Sequence, residues 1–555
     1  AGPRAYPAHG ANNGQWKQPD QGRHGGLPLP DRQWPTLALT RRGALLLPLA
    51  LAACGPGGVS GVAATTASPA ASPQHPAPTV RAAWADVGVP SPFRVSTAGP
   101  GGPVLLTLLY DTLTWKDEHG IIPWLATKWR ISPDGREYTF TIAPNVQWHD
   151  GRPLTADDVA FTFAYYAQHP YRWTSTAMVA SATVSAADQV VVRLRQPFAP
   201  FLEEIGGIVP IIPKHVWSQV ADPLAHSAPD ATLGSGPFAL AEYRQAEAAY
   251  RLTANLNYFR GPVSVGEYQQ LNISAQTSIQ AVQKGELDLA WTTDASVVGL
   301  FPNDPRLKVL PTPPLSVVRL AVNTKRPPLD RKEVRQAIRY ALDRRQIGQV
   351  ITKGTPIAGS AGVIPPETPW FNPNLPGYAF DPAKARALLQ DQRYSIELLA
   401  DPTNREPELM LPMLQAVGID LVVKRVDSQT RTQLLREGNF QLGIVQHIGI
   451  GSDPDFLRLW YNGAEANDFA QGFNFKDPQF GQLADAEAVT LDMAKRRAII
   501  FRMQEILADQ LPTIVLYYRR FYWVYDSAKY TPMTTWGGLI DGAPLVQNKL
   551  SFLRR

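Results

Sequence analysis

The chain of 555 residues holds a single cysteine, Cys54, and its 53 basic and 48 acidic residues nearly cancel, leaving a formal charge of +5. One cysteine excludes an internal disulfide. A small net charge with no long run of either sign excludes the electrostatic footprint of a nucleic-acid binder. The nine histidines are scattered with no close His or Cys partner, so no metal site is expected from local spacing. No phosphate-binding glycine motif is present: Gly449-Ile450-Gly451 runs on into Ser452-Asp453-Pro454 rather than into a helix. Gly234-Ser235-Gly236 is too tight for a nucleophile elbow. In Trp148-His149-Asp150-Gly151 the adjacent His and Asp point to opposite faces of a strand, so they form a turn rather than an acid/base pair. No catalytic residue and no cofactor is expected.

What is present starts with size. At 44% hydrophobic and 18% charged residues, the length exceeds one ordinary core and fits two lobes. Arg41 and Arg42 precede an apolar run from Gly43 to Ala53, the order of a signal peptide, and the run falls short of the ~20 residues that cross a bilayer. Leu51-Ala52-Ala53-Cys54 resembles the lipobox of bacterial lipoproteins, which implies a lipid anchor on Cys54. Thr40-Arg41-Arg42 also resembles a twin-arginine signal, so the export route stays open. Residues 1–53 are read as a leader, and residues 54–79, rich in Gly, Ala, Ser, Thr and Pro, as a flexible tether.

From Val80 onward short β-rich runs alternate with amphipathic helices, the pattern of α/β lobes. Tyr138 to Ile142, Val190 to Leu194, Ser316 to Val322, Ile396 to Leu399 and Leu421 to Val423 are predicted strands. Thr155 caps a helix with Asp157 and Asp158 in its first turn, Asp330 and Glu333 form a capping pair, and Pro382 opens a further helix. Behind Asp330, Val334, Ile338, Ala341 and Leu342 face a core, which puts Arg335, Arg339, Arg344 and Arg345 on the solvent side. Ile499, Met503, Ile506 and Leu507 line a late helix closed by Pro512. Helix, glycine and buried strand recur at Gly285 before Leu287 to Trp291 and at Gly438 before Phe440 to Val445. Two such units suggest two lobes, with Trp291 and the segment from His447 to Asp453 at one cleft beyond the strand ends. Of the fourteen tryptophans, Trp115, Trp124, Trp129 and Trp148 are expected in the core, whereas Trp291, Trp370 and Trp536 are candidates to touch a ligand.

Seven motifs in order carry a resemblance. They are Leu109-Tyr110-Asp111-Thr112-Leu113-Thr114, Trp124-Leu125-Ala126 with Trp129, Ser132-Pro133-Asp134-Gly135 with Tyr138-Thr139-Phe140, Val146 to Gly151 joined to Thr155 to Val159, Gly234 to Phe238, Val322-Asn323-Thr324 with Pro328-Leu329-Asp330, and Asp453-Pro454-Asp455. Together they resemble the family 5 solute-binding proteins, which include dipeptide, oligopeptide and nickel binders, over nearly all of Val80 to Leu553. The resemblance implies an α/β, bilobal periplasmic-binding-protein-like fold with a hinge and an additional β-rich subdomain. The first lobe would span 80–314 and be completed by 513–555; the second would span 315–512. It implies a monomeric, extracytoplasmic binding module, anchored to the membrane by lipid, that passes a peptide-like, sugar or other small solute to the permease and ATPase subunits of an ABC importer. A lipid-anchored cell-wall hydrolase and an extracytoplasmic sensor are the alternatives.

The residues expected at the solute are Tyr110, Trp291, Asn323, Trp370, His447, Ile450, Ser452, Asp453 and Trp536. In the peptide-binding branch an aspartate shortly before Asp-Pro-Asp pairs with the peptide α-ammonium. Ile450 occupies that place, although a shift of three residues would bring Asp453 there.

Overall fold

Ser316–Val322 is the most apolar of the predicted strands, and it lies at the centre of a sheet, buried at every position between Leu442–Ile448 and Thr513–Arg519. The structure, a computed structural model, describes residues 77–95, 101–354, 356–448, 450, 453–462, 475–534 and 546–553. The leader, Cys54, Ser452 and Trp536 lie outside the described residues.

Among the described residues the strands form four sheets. The first lobe is built on a seven-stranded mixed sheet in the order Leu307–Pro311, Tyr522–Asp526, Leu289–Thr292, Thr79–Ala83, Glu267–Leu271, Ala249–Ala254, Phe238–Arg244. Thr79–Ala83 runs parallel to both of its neighbours. The second lobe is built on six strands, Ile357–Ala358, Thr513–Arg519, Ser316–Val322, Leu442–Ile448, Tyr394–Ala400, Ile419–Arg425. A β-rich subdomain of four antiparallel strands, Ala126–Ile131, Glu137–Ile142, Gln189–Leu194 and Val179–Ala186, packs under helix Ala156–Gln168. That helix starts as its sequence signals: the Asp158 carboxylate accepts from the Thr155 N–H, closing a capping box. Gly285 and Gly438 end their helices with φ of +74° and +68°, a conformation that costs glycine little. The remaining sheet is the short hairpin Thr114–Lys116 with Ile121–Pro123.

Three sequence expectations need correction. Pro512 closes helix Met493–Gln510 but not the lobe, because the apolar run after it, Thr513–Arg519, pairs with Ser316–Val322 and is needed to cover the second core. The chain therefore returns to the first lobe after Arg519 rather than after Pro512. Asp330 caps nothing: the helix begins at Lys332 after Arg331, without a side-chain cap. Arg335, Arg339 and Arg344 are buried, and of the four arginines only Arg345 is exposed. Each buried guanidinium donates to backbone carbonyls of other segments, while among the described residues Arg339 Nε and Arg344 Nε are left without an acceptor. Arg335 donates to Gln510 O at 2.7 Å and Leu329 O at 2.9 Å; Arg339 donates to Val515 O at 2.6 Å and Gly359 O at 2.8 Å; Arg344 donates to Gly359 O and to Tyr378 O at 2.5 Å. Burial holds Arg339 well below its ordinary value and brings Arg344 down to about 10. Trp115, Trp124 and Trp148 are buried, whereas Trp129 is half-buried beside Phe140.

The lobes are joined where 312–315 leaves the first sheet and 520–521 returns to it. The two crossings are bonded to each other. Thr312 N–H donates to Phe521 O at 2.9 Å, Phe521 N–H donates to Thr312 Oγ1 at 3.0 Å, and the Arg520 guanidinium donates to Thr312 O at 2.9 Å. Among the described residues no helix is long and apolar enough to cross a membrane.

Candidate functional site

The first motif turns inward. Asp111 is fully buried and accepts from Trp124 Nε1 at 2.8 Å, Ser235 Oγ at 2.9 Å, Tyr258 OH at 2.9 Å and Lys549 Nζ at 2.8 Å. Burial pulls Lys549 below its ordinary value while Asp111 opposes the fall, and the ammonium sits 4.7 Å from the Trp115 ring centroid. Asp111, Trp124, Ser235 and Tyr258 thus bind the C-terminal segment to the first lobe. Tyr110 is buried and donates to Ala231 O at 3.0 Å. His149 braces the glycine motif, accepting from Gly234 N–H at Nδ1 and contacting Gly236 O through Nε2 at 3.0 Å; burial lowers its value, so it stays neutral.

The other expected residues divide by environment. Asn323 is buried and donates to Gly438 O at 3.0 Å and Phe440 O at 3.1 Å, tying the end of Ser316–Val322 to the segment that leads into its neighbour Leu442–Ile448. Trp370 is buried with Arg496 and Arg497 over its ring. Ile450 is buried in an apolar cluster of the second lobe, its N–H donating to Leu315 O at 3.3 Å. Trp291 packs against Trp84, Phe521 and Trp523, with centroids 5.0–6.4 Å apart. Both oxygens of Asp453 are held by Arg496, at 2.7 and 2.5 Å. His447 stands at a large cavity.

That cavity, about 1110 Å³, opens between the β-rich subdomain and the second lobe. One wall is the loop after helix Ala156–Gln168, with Tyr171, Arg172 and Trp173, together with Phe198 and Glu204. The facing wall is His447, helix Phe456–Tyr461 with Asp455 at its start, and Asp485. Trp460 is fixed from two sides, by the His447 ring edge-on at 4.3 Å and by the Arg319 guanidinium 4.6 Å from its centroid. Arg458 grips Asp455 at 2.5 and 2.8 Å, and this pairing holds the Asp455 carboxylate below the usual range against the opposing effect of burial. Flat apolar faces with a few fixed charges suit an organic solute with polar groups. Among the described residues no group of three or more His, Cys, Asp or Glu could hold a metal ion.

Behind the cavity the lobes meet over buried charge. In the first lobe Lys116 donates to Glu203 at 3.1 Å. In the second, Arg496 joins Asp453 to Glu487, whose oxygen lies 2.8 Å away. Burial lifts Glu203, with Lys116 counteracting, and burial together with the Asp455 carboxylate raises Glu487 well above the ordinary range. Despite burial, Asp453 and Glu487 raise Arg496. Ala199 N–H of the first lobe donates to Ala488 O at 2.7 Å, closing the contact.

Of the residues expected at the solute, His447 lines this cavity; Trp173, Asp455 and Trp460, which also line it, are not among those expected. Two signals in the sequence point to them: His169-Pro170-Tyr171-Arg172-Trp173 gathers aromatic and basic residues in a loop just past a helix end, and Asp453-Pro454-Asp455 carries a second carboxylate, Asp455, directly before Phe456 to Tyr461.

A family model described as bacterial extracellular solute-binding proteins, family 5 Middle, matches residues 120–468. The dipeptide-binding protein of Escherichia coli (strain K12) is 27% identical over 440 residues, covering 71% of this chain and 80% of its own. A probable di/tripeptide-binding protein 5 of Pseudomonas aeruginosa (strain UCBPP-PA14) is 28% identical over 427 residues, covering 70% and 80%. In fold, the ABC transporter substrate-binding protein CtaP of Listeria monocytogenes superposes with a TM-score of 0.75 at 22% identity, over 86% of this chain and 99% of that one.

Proposed function

The chain belongs to the bacterial extracellular solute-binding proteins of family 5, and from that membership we propose that it captures a peptide-like solute in the cavity between its lobes and delivers it to the permease and ATPase subunits of an ABC importer. The observation that carries the reading is the cavity of about 1110 Å³ walled by two bodies that are joined through two short crossings. Such a joint lets the walls part and close on a ligand. A peptide is favoured because the two sequence relatives described above are named for dipeptides and di/tripeptides. His447, Trp173 and Trp460 would contact it, with Asp455 and Arg458 supplying polar groups.

The peptide would not be held by a free N-terminus in the loop before Asp455. Ile450 is buried among apolar side chains, and Asp453 is already engaged by Arg496. An ammonium left unpaired in a closed cleft costs several kcal/mol. Calorimetry with matched free and N-acetylated peptides is therefore expected to give equal or tighter binding of the acetylated set. Tight binding of free peptides alone, abolished in an Asp453→Asn variant that keeps its melting temperature, would reverse this.

Cys54 would carry the lipid that keeps the protein at the outer face of the membrane. Cys54→Ala should move it from the membrane pellet to the soluble fraction; a variant still in the pellet excludes that anchor.

A further inference from the structure

The contact between the lobes holds more carboxylates than cations. Lys116 and Glu203 come from the first lobe; Asp453, Asp455, Arg458, Glu487 and Arg496 come from the second, and all seven are buried. Lys116 takes Glu203, Arg458 takes Asp455, and Arg496 is shared between Asp453 and Glu487. Four carboxylates face three cations, so one negative charge is left over. Glu487 is fully buried and Glu203 nearly so, and a buried charge without a counter-charge is strongly disfavoured.

We propose that closing the lobes takes up one proton on this carboxylate cluster, so that the closed state, and with it solute capture, is favoured as the pH falls. The proposal rests on the reading of the cavity as a solute site. Glu487 faces Asp455, Arg496 and Asp453, and Glu203 faces Lys116, Asp453 and Arg496; Arg458 also faces Asp485, an exposed carboxylate outside the buried seven that adds to the negative excess. Closure creates this environment. Asp453 and Arg496 reach Glu203 across the contact, and Glu487 precedes Ala488, whose carbonyl receives the first-lobe bond from Ala199. Parting the lobes admits water to both glutamates and returns them toward the ordinary carboxylate value of about 4.3. Burial raises both in the closed form. The closed form therefore binds the extra proton between that ordinary value and the raised one. In this window the ratio of closed to open rises as pH falls, by up to about tenfold per pH unit.

The test is the distance between spin labels at exposed Thr183 and Gln433, one on each side of the contact, in the full chain with Cys54→Ser and no solute added. The closed fraction is expected to grow as the pH is lowered from neutral toward the ordinary carboxylate value of about 4.3, with a slope of up to one proton. It should lose that slope in Glu487→Gln or in Glu203→Gln. A closed fraction independent of pH in the parent, or a slope surviving in both variants, overturns the proposal. Because no solute is present, a chain that keeps the slope yet binds no peptide refutes only the solute reading. A chain that binds peptide without the slope refutes only the proton linkage.

Discussion

Lys549 shows how much one side chain near the end of the chain supports. It is fully buried and is the cation that meets Asp111, a carboxylate also gripped by Trp124, Ser235 and Tyr258. Replacing Lys549 with Met leaves that carboxylate in the core without a counter-charge, which is expected to cost about 3–5 kcal/mol in denaturant unfolding. Adding Asp111→Asn should recover part of the loss, since the penalty comes from the orphaned charge. A loss under about 1 kcal/mol would mean that the pair contributes little. Asp111 and Ser235 stood out in the sequence as parts of separate motifs, but their common partner did not, because nothing local links position 111 to 549. The same limit explains Arg335, Arg339 and Arg344. Their helical spacing from the apolar stripe reads as solvent-facing, and the carbonyls that accept them, such as Gly359 O and Val515 O, are brought together only by the fold.

Elements were the most legible level. Alternation and β-branching located Ser316–Val322 and Gln189–Leu194, and turn or cap chemistry located the helix start at Thr155 and the two glycine stops. The glycine motif at Gly234 makes a close backbone approach: a Cβ on Gly234 would lie 1.9 Å from Leu109 O. The turn packs against the end of helix Gly101–Leu109, with Gly236 N–H donating to Leu109 O at 2.8 Å. Gly234→Ala must push the two segments apart and is expected to destabilise by more than about 2 kcal/mol. Gly299→Ala, where an added Cβ meets nothing within 4 Å, should stay within about 0.5 kcal/mol. Equal melting curves for the two variants would contradict the packing argument. The cavity was less legible than the elements around it, because its walls, the loop at 170–175 and helix Phe456–Tyr461, become neighbours only when the subdomain meets the second lobe.

For the whole molecule, the chain passes between the lobes twice, at Thr312 and at Phe521, and the two crossings are bonded to each other. Small-angle scattering should give a smaller radius of gyration once a peptide that binds by calorimetry is added, and an unchanged radius with saturating peptide counts against closure. The joint's second strand has a further consequence, for the order in which the chain acquires its structure. Tyr522–Asp526 lies inside the first sheet, between Leu289–Thr292 and Leu307–Pro311, yet it is made only after the entire second lobe. A nascent chain released up to Arg519 can pair all six strands of the second sheet, while the first lobe waits with two unpaired strand edges and with Asp111 still lacking Lys549. The half that begins first is thus completed last, and during synthesis it is the first lobe that needs protection from pairing with other chains.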